Sequence, residues 1–179
     1  SERVIEETLE KEIRNCSGKF IFTTQSSNIS RIQQAINVAI KNNRKIVFLG
    51  RSIVENVEVT TKLKYLDFPD MFVMPDKDIR KYKSSELALI VTGSQAQPNS
   101  ALMRMAEGVH KFASINPNDV VVFSADPIPG YENAVHTLID ILTAAGARVA
   151  YSDITDALHV SGHGAANDLA LMIGLTKPK

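Results

Sequence analysis

Apolar residues fall along this chain in two alternating rhythms. Short runs carry almost no polar interruption: KFIFTT at 19–24, KIVFLG at 45–50, LALIVT at 87–92 and VVVFS at 120–124, with a further run opening at Arg148. Between the runs, apolar residues return every three or four positions, as at Val4, Ile5, Leu9 and Ile13, or Ile29, Ile32, Ile36, Ala39 and Ile40. The same spacing recurs at Leu102, Met105, Ala106 and Val109, at Val135, Leu138, Ile139 and Leu142, and at Leu169, Met172 and Ile173. Such spacing gives a helix one apolar face, and the unbroken runs read as strands buried on both faces. Strands alternating with helices predict an α/β fold: a doubly wound, mainly parallel five-stranded sheet with helices on both faces. The strands are expected near residues 19–24, 45–50, 87–92, 119–124 and 148–152, within a single domain over 1–179.

Punctuation refines this outline. Gly18 and Gly146 are expected to end helices, and Ser27 or Asn28 to cap the helix that runs through Ile40. A third helix is expected from Ser52, although Val57, Val59, Thr60 and Thr61 are stiff, β-branched residues. The segment 68–75 reads as irregular or as a short edge strand.

Composition narrows the class. A chain of 179 residues with 44% hydrophobic and 22% charged residues can bury one sizeable core. Twenty basic residues balance twenty acidic ones, so any nucleic-acid contact must be local rather than a broad basic field. The single cysteine, Cys16, excludes an internal disulfide and fits a reducing, cytoplasmic setting. No apolar run reaches the roughly 18 residues of a membrane span, and no signal-peptide pattern is present, so no membrane partner is expected. The chain opens without Met and stops at Lys177-Pro178-Lys179, and both ends read as cut from something longer.

Right-handed crossovers put the C-termini of parallel strands on one edge, where open α/β sheets bind their ligands. The residues after each run therefore matter most. They are Thr24, Ser26, Ser27 and Asn28 with Arg31 a turn later; Gly50, Arg51 and Ser52; Gly93, Ser94, Gln95, Gln97 and Pro98; and Ser124 to Gly130. After the last run comes His159-Val160-Ser161-Gly162-His163-Gly164, just before the apolar helical pattern, so His163 is expected at a helix N-terminus. This rim of hydroxyls, amides, arginine and histidine, poor in carboxylates, suits a phosphate or phosphodiester better than a metal. Each loop alone is also ordinary cap and turn chemistry. No Walker A loop, cysteine pair or Gly-x-Ser-x-Gly elbow is present. His110 and His136 sit in helical patterns and are expected away from this edge.

Taken in order, several stretches carry a resemblance. They are Ser1-Glu2 with Val4-Ile5 and Glu7-Thr8; Ser27-Asn28-Ile29 with Arg31-Ile32-Gln33; Gly50-Arg51-Ser52; Gly93-Ser94-Gln95 with Pro98; Pro127-Ile128-Pro129-Gly130; and His159 to Gly164. The chain resembles the β-CASP domain of ribonuclease J, within the metallo-β-lactamase-fold nucleases. The resemblance implies a parent ribonuclease with 5′-to-3′ exonuclease and endonuclease activity in RNA processing and decay. It implies two zinc ions held by a metallo-β-lactamase domain of the same polypeptide, no metal ligand within this chain, and no activity of this piece alone. RNA is the implied partner, and the resemblance leaves room for a homodimer or tetramer of the parent.

Residue by residue, the resemblance makes His163 the family's motif B histidine and Ser161 the neighbouring phosphate-binding hydroxyl. Glu2, or alternatively Glu7, takes the place of the acidic motif A, which makes His163 and Glu2 the expected catalytic residues. Gly162, His159, Ser27, Asn28, Arg31, Arg51, Ser52, Ser94 and Gln95 are the expected phosphate and RNA contacts. The sequence departs from the family at Ser30, where many relatives carry His, and at Gln97, where they carry Glu; it also stops before the expected Pro-x-His-Gly-Glu segment. Beside this reading stand a nucleotide or phosphosugar-binding module without nuclease activity and a purely structural or oligomerising domain.

Overall fold

Each unbroken apolar run becomes a strand because neither of its faces meets water. A computed structural model describes residues 2–151 and 166–177, with side chains from residue 5 onward. Among them, β1 (Phe20–Thr23), β2 (Lys45–Leu49), β3 (Leu87–Val91), β4 (Val120–Phe123) and β5 (Arg148–Ala150) form one sheet in the order β2-β3-β1-β4-β5. Every pairing is parallel, with Phe20 opposite both Ala88 and Val120. The helices are α1 (Glu2–Arg14), α2 (Ile29–Lys41), α3 (Arg51–Lys62), α4 (Ala101–Ala106), α5 (Glu132–Ala144) and α6 (Ala166–Thr176). The doubly wound α/β fold is thus the one expected from the pattern.

Strand periodicity sorts the core into two layers. Phe20, Phe22, Ile46, Ala88, Ile90, Val120 and Val122 face α1, α2 and α3, where Ile5, Leu9, Ile32, Ile36 and Ile53 meet them. Ile21, Val47, Leu89, Val91, Val121 and Phe123 face α4 and α5, meeting Leu102, Met105, Leu138 and Leu142. Burying each such Phe, Ile or Leu contributes about 1.5–3 kcal/mol before chain entropy is counted. Asn28 is the residue that caps α2, its side-chain oxygen accepting from the Arg31 N–H. The residues of α6 are exposed along its length, Leu169, Leu171, Met172, Ile173 and Leu175 included. No helix among the described residues is long and apolar enough to cross a membrane.

Several boundaries differ from expectation. Helix α3 begins at Arg51, one residue early. Helix α4 stops at Ala106 instead of continuing through Val109, because Gly108, at φ +72°, turns the chain away. Strand β5 ends at Ala150. Helix α1 ends at Arg14, so Gly18 is not its stop. Gly18 is needed instead for close approach: a Cβ there would lie 2.5 Å from the Asn118 carbonyl oxygen and 2.6 Å from Asp119 Oδ1. Segment 68–75 makes only one bridge, Val73 to Ile46, and the Met74 N–H donates to the Ile46 carbonyl at 3.0 Å. That contact shields the outer edge of β2, which would otherwise offer unpaired backbone groups.

The N-terminal ends of the strands are held by two buried cations. Arg44 donates to the carbonyls of Gly18 (2.7 Å), Leu87 (3.2 Å), Ile13 (3.3 Å) and Cys16 (2.5 Å). Lys19 pairs with Asp119 at 2.8 Å, and the Asp119 carboxylate also accepts from the Lys19 and Asn116 backbone N–H groups. Cys16 lies beside the guanidinium, yet burial pushes its thiol above the ordinary range despite the opposing pull of Arg44. Arg44→Met fills similar volume but removes the guanidinium from all four carbonyls, of which Ile13 keeps the Cys16 N–H and Gly18 the Cys16 thiol. We expect a loss of about 3 kcal/mol or more, because unsatisfied buried acceptors cost about 1–3 kcal/mol each. Urea unfolding should show a lower midpoint with an unchanged slope; a midpoint within error of the unaltered chain would show that Arg44 is not the clamp described here.

Candidate functional site

The sheet order creates a crevice at the other end of the strands. The chain leaves β1 and β2 for α2 and α3 on one face, whereas it leaves β3, which lies between them, for α4 on the opposite face. Adjacent loops therefore part, and ligands of open α/β sheets bind where they do. A cleft of about 760 Å³ opens there, lined by the loops after all three strands. Gly50 makes one wall possible: its φ is +112°, and a Cβ would run into the Thr92 side chain. The Thr92 hydroxyl in turn accepts from the Ala101 N–H at 3.1 Å, and Ser100 Oγ accepts from the Met103 N–H at 3.4 Å, fixing the start of α4.

Arg51, Ser52, Ser27, Ser94 and Gln95 all line this cleft, as the strand-exit argument requires. Their availability differs. Ser27, Arg51 and Ser52 are exposed. Ser94 and Gln95 are each 2% exposed. The Gln95 amide is occupied, donating to the Asp126 carbonyl at 2.8 Å and accepting from the Ile128 N–H at 2.7 Å. It ties the loop after β4 to the loop after β3. Asn28 spends its side-chain oxygen on the α2 cap and on the Ser30 hydroxyl. Arg31 is 3% exposed, and its guanidinium donates to Gln34 at 2.8 Å, so it faces the interior of this structure and not the cleft. The backbone of Glu2 opens α1, and Glu7 lies exposed on that helix beside Lys11 and Arg14. His159, Ser161, Gly162, His163 and the Glu2 side chain lie outside the described residues.

Among the lining residues that were not foreseen are Arg104 and His110. Reading helix α4 through Val109 placed His110 on a helix away from this edge. Gly108 was the available signal, since glycine just past an apolar helical stretch marks a stop. The actual turn brings His110 back, because the Arg104 carbonyl accepts from the N–H groups of Val109 (2.9 Å) and His110 (3.0 Å). His136, by contrast, is exposed on α5 with its ring edge-on to Tyr151, away from the cleft as expected.

The cleft is locally cationic in a chain of zero net charge. Arg51 and Arg104 line it, and neither guanidinium finds an acceptor among the described residues. Glu55 is the one carboxylate among the lining residues. Hydroxyls and amides supply the rest of the lining, from Ser27, Ser52, Gln97 and Asn99 among others. Two guanidiniums among neutral donors suit an anion with several oxygens, such as a phosphate. The His110 pKa is pushed below the ordinary histidine value first by burial and then by the Arg104 charge, with Asp76 opposing.

The family described as "Ribonuclease J, beta-CASP domain" matches residues 17–142. The chain is 40% identical over its whole length to Ribonuclease J of Helicobacter pylori strain 26695, covering 26% of that protein. It is 38% identical to Ribonuclease J2 of Bacillus subtilis strain 168 and 36% identical to Ribonuclease J 1 of Streptococcus pyogenes serotype M3, each over the whole chain and 32% of the relative. The chain thus spans about a quarter to a third of the length of these relatives.

The depressed His110 pKa has a consequence for stability. Its contribution is fully present above the ordinary value of 6.5 and is lost as pH falls through the lower folded value. The melting temperature should therefore drop as the solution is acidified below about pH 6, and His110→Asn, which cannot titrate, should flatten that part of the curve. Parallel curves for the two proteins would show that His110 titrates alike folded and unfolded.

Proposed function

We propose a function from one premise: the chain belongs to the β-CASP domain family of ribonuclease J. On that premise it is the RNA-binding half of a ribonuclease J-like enzyme that cuts RNA from its 5′ end and internally, in RNA processing and decay. The observation that carries the reading is the convergence of Arg51 and Arg104, both without acceptors among the described residues, on one cleft at the strand C-termini. A phosphodiester backbone presents the matching anionic oxygens at regular spacing, and counterion release favours such contacts.

Zinc belongs, on this reading, to a metallo-β-lactamase domain elsewhere in the parent. Among the described residues, no three His, Cys, Asp or Glu side chains come together to hold a metal, so zinc does not fit this part of the chain. What these residues offer is binding: Arg51 grips a phosphate, and Ser27 and Ser52 add hydroxyl donors around it. His163 and Glu2 keep the catalytic roles that the resemblance gives them, with Ser161, Gly162 and His159 beside the reacting phosphate. The piece alone would bind RNA without cutting it, and a cytoplasmic parent, free or assembled as a homodimer or tetramer, would do both.

Salt-dependent binding tests the cleft. Single-stranded RNA should bind the chain with an affinity that falls steeply with salt, and Arg51→Ala should weaken it about tenfold while lowering the slope by about 0.7. Tight binding of a mononucleotide, with no gain from longer RNA, would favour a nucleotide-binding module instead. The catalytic assignment is tested in the parent: His163→Ala should cut the single-turnover rate about 100-fold with melting temperature unchanged. Full cleavage by that variant would remove His163 from the chemistry.

A further inference from the structure

The His110 ring is oriented by its own backbone. Its Nδ1 accepts from the N–H groups of Phe112 (3.3 Å) and Ala113 (3.2 Å). A nitrogen accepting two N–H groups carries no proton, so the neutral ring must hold its proton on Nε2. That Nε2–H has no acceptor among the described residues. The ring lines the main cleft, beside Arg104, and also a second cleft of about 330 Å³ that contains Arg80, Tyr82 and Phe112. His110 therefore stands where the two clefts meet, with a free donor and an unpaired guanidinium side by side.

We propose that His110 and Arg104 together hold a second backbone phosphate of the RNA, at this junction, so that the strand continues past Arg51 into the second cleft. The inference rests on RNA being the ligand of the main cleft. An anionic oxygen would receive the Nε2–H from one side and the Arg104 guanidinium from the other, while the exposed Tyr82 offers a ring on which a following base can stack; the Phe112 ring already carries Lys111 Nζ, 4.9 Å from its centroid. The contact is neutral on the histidine side. Protonating Nδ1 would set a new N–H against the Phe112 and Ala113 N–H groups, so the geometry disfavours the charged ring. Charged groups lining the two clefts or acting on the ring are Arg104, Arg51, Arg80 and Lys19 on one side and Asp76 and Glu55 on the other, with Lys19 neutralised by Asp119.

Asparagine separates the two jobs of the residue, since its side-chain oxygen can replace Nδ1 as the acceptor while the distal donor is lost. Binding of single-stranded oligouridylate to the chain is measured by titration at several salt concentrations, with melting temperature in parallel. We expect His110→Asn to lower affinity about tenfold at an unchanged salt slope, because the lost donor is neutral, and to melt as the unaltered chain does at neutral pH. Arg104→Gln should lower both affinity and slope, the slope by about 0.7. The affinity ratio between the unaltered chain and His110→Asn should stay constant from about pH 6 to 8. If His110→Asn binds as the unaltered chain does while Arg51→Ala weakens binding, this proposal falls and the RNA reading stands. If the unaltered chain binds no oligouridylate, both fall.

Discussion

The buried Arg44 guanidinium is the constraint from which the rest of the geometry follows. It sits at the N-terminal ends of the strands and gathers carbonyls from the end of α1, the entry to β1 and the first residue of β3. These groups are far apart in sequence, so their common donor sets α1, β1 and β3 relative to one another in one step. The buried Lys19–Asp119 pair does the same for β1 and β4. A guanidinium suits this task because it presents five donors in a fixed plane and stays charged at any pH the fold survives. The opposite edge is tied by the Gln95 amide instead, and Arg51 and Arg104 there stay without acceptors among the described residues.

Much of the fold was legible because burial on both faces leaves a plain mark: four apolar runs without alternation, each now a parallel strand, beside a fifth strand at the sheet edge that opens with the exposed Arg148. The Asn28 cap and the Gly146 stop were legible for equally local reasons. What escaped were features that depend on tertiary approach. Gly18 looks like a helix stop in sequence, but its neighbours are Asn118 and Asp119, a hundred residues away. Val109 continues the spacing of α4 and would have fitted a longer helix, yet it is 60% exposed beyond the Gly108 turn. Periodicity alone cannot weigh one apolar residue against a glycine two positions after the helix ends.

The site was legible to a similar depth. Topology alone brings Ser27, Arg51, Ser52, Ser94 and Gln95 to one cleft, since each follows a strand. It does not say which of them are free to act. Arg31 and Arg44 count as cations in the composition but are engaged inside the protein, and Gln95 holds two loops together. Only a map of partners separates these from Arg51 and Arg104. The neutral net charge is misleading for the same reason: a count of twenty against twenty says nothing of where unpaired charge lies.

That distinction changes how binding should respond to solution conditions. The attraction of two guanidinium groups such as Arg51 and Arg104 to a polyanion is tuned by salt. His110 leans the same way by a different route, because two backbone N–H groups on Nδ1 disfavour the imidazolium that a phosphate would otherwise favour. The described part of the cleft is therefore a grip that acidity alters little. On the proposed reading, any sensitivity of the parent to pH falls to groups that exchange protons at the reacting centre and not to this grip, so gripping and chemistry rest on different physical devices.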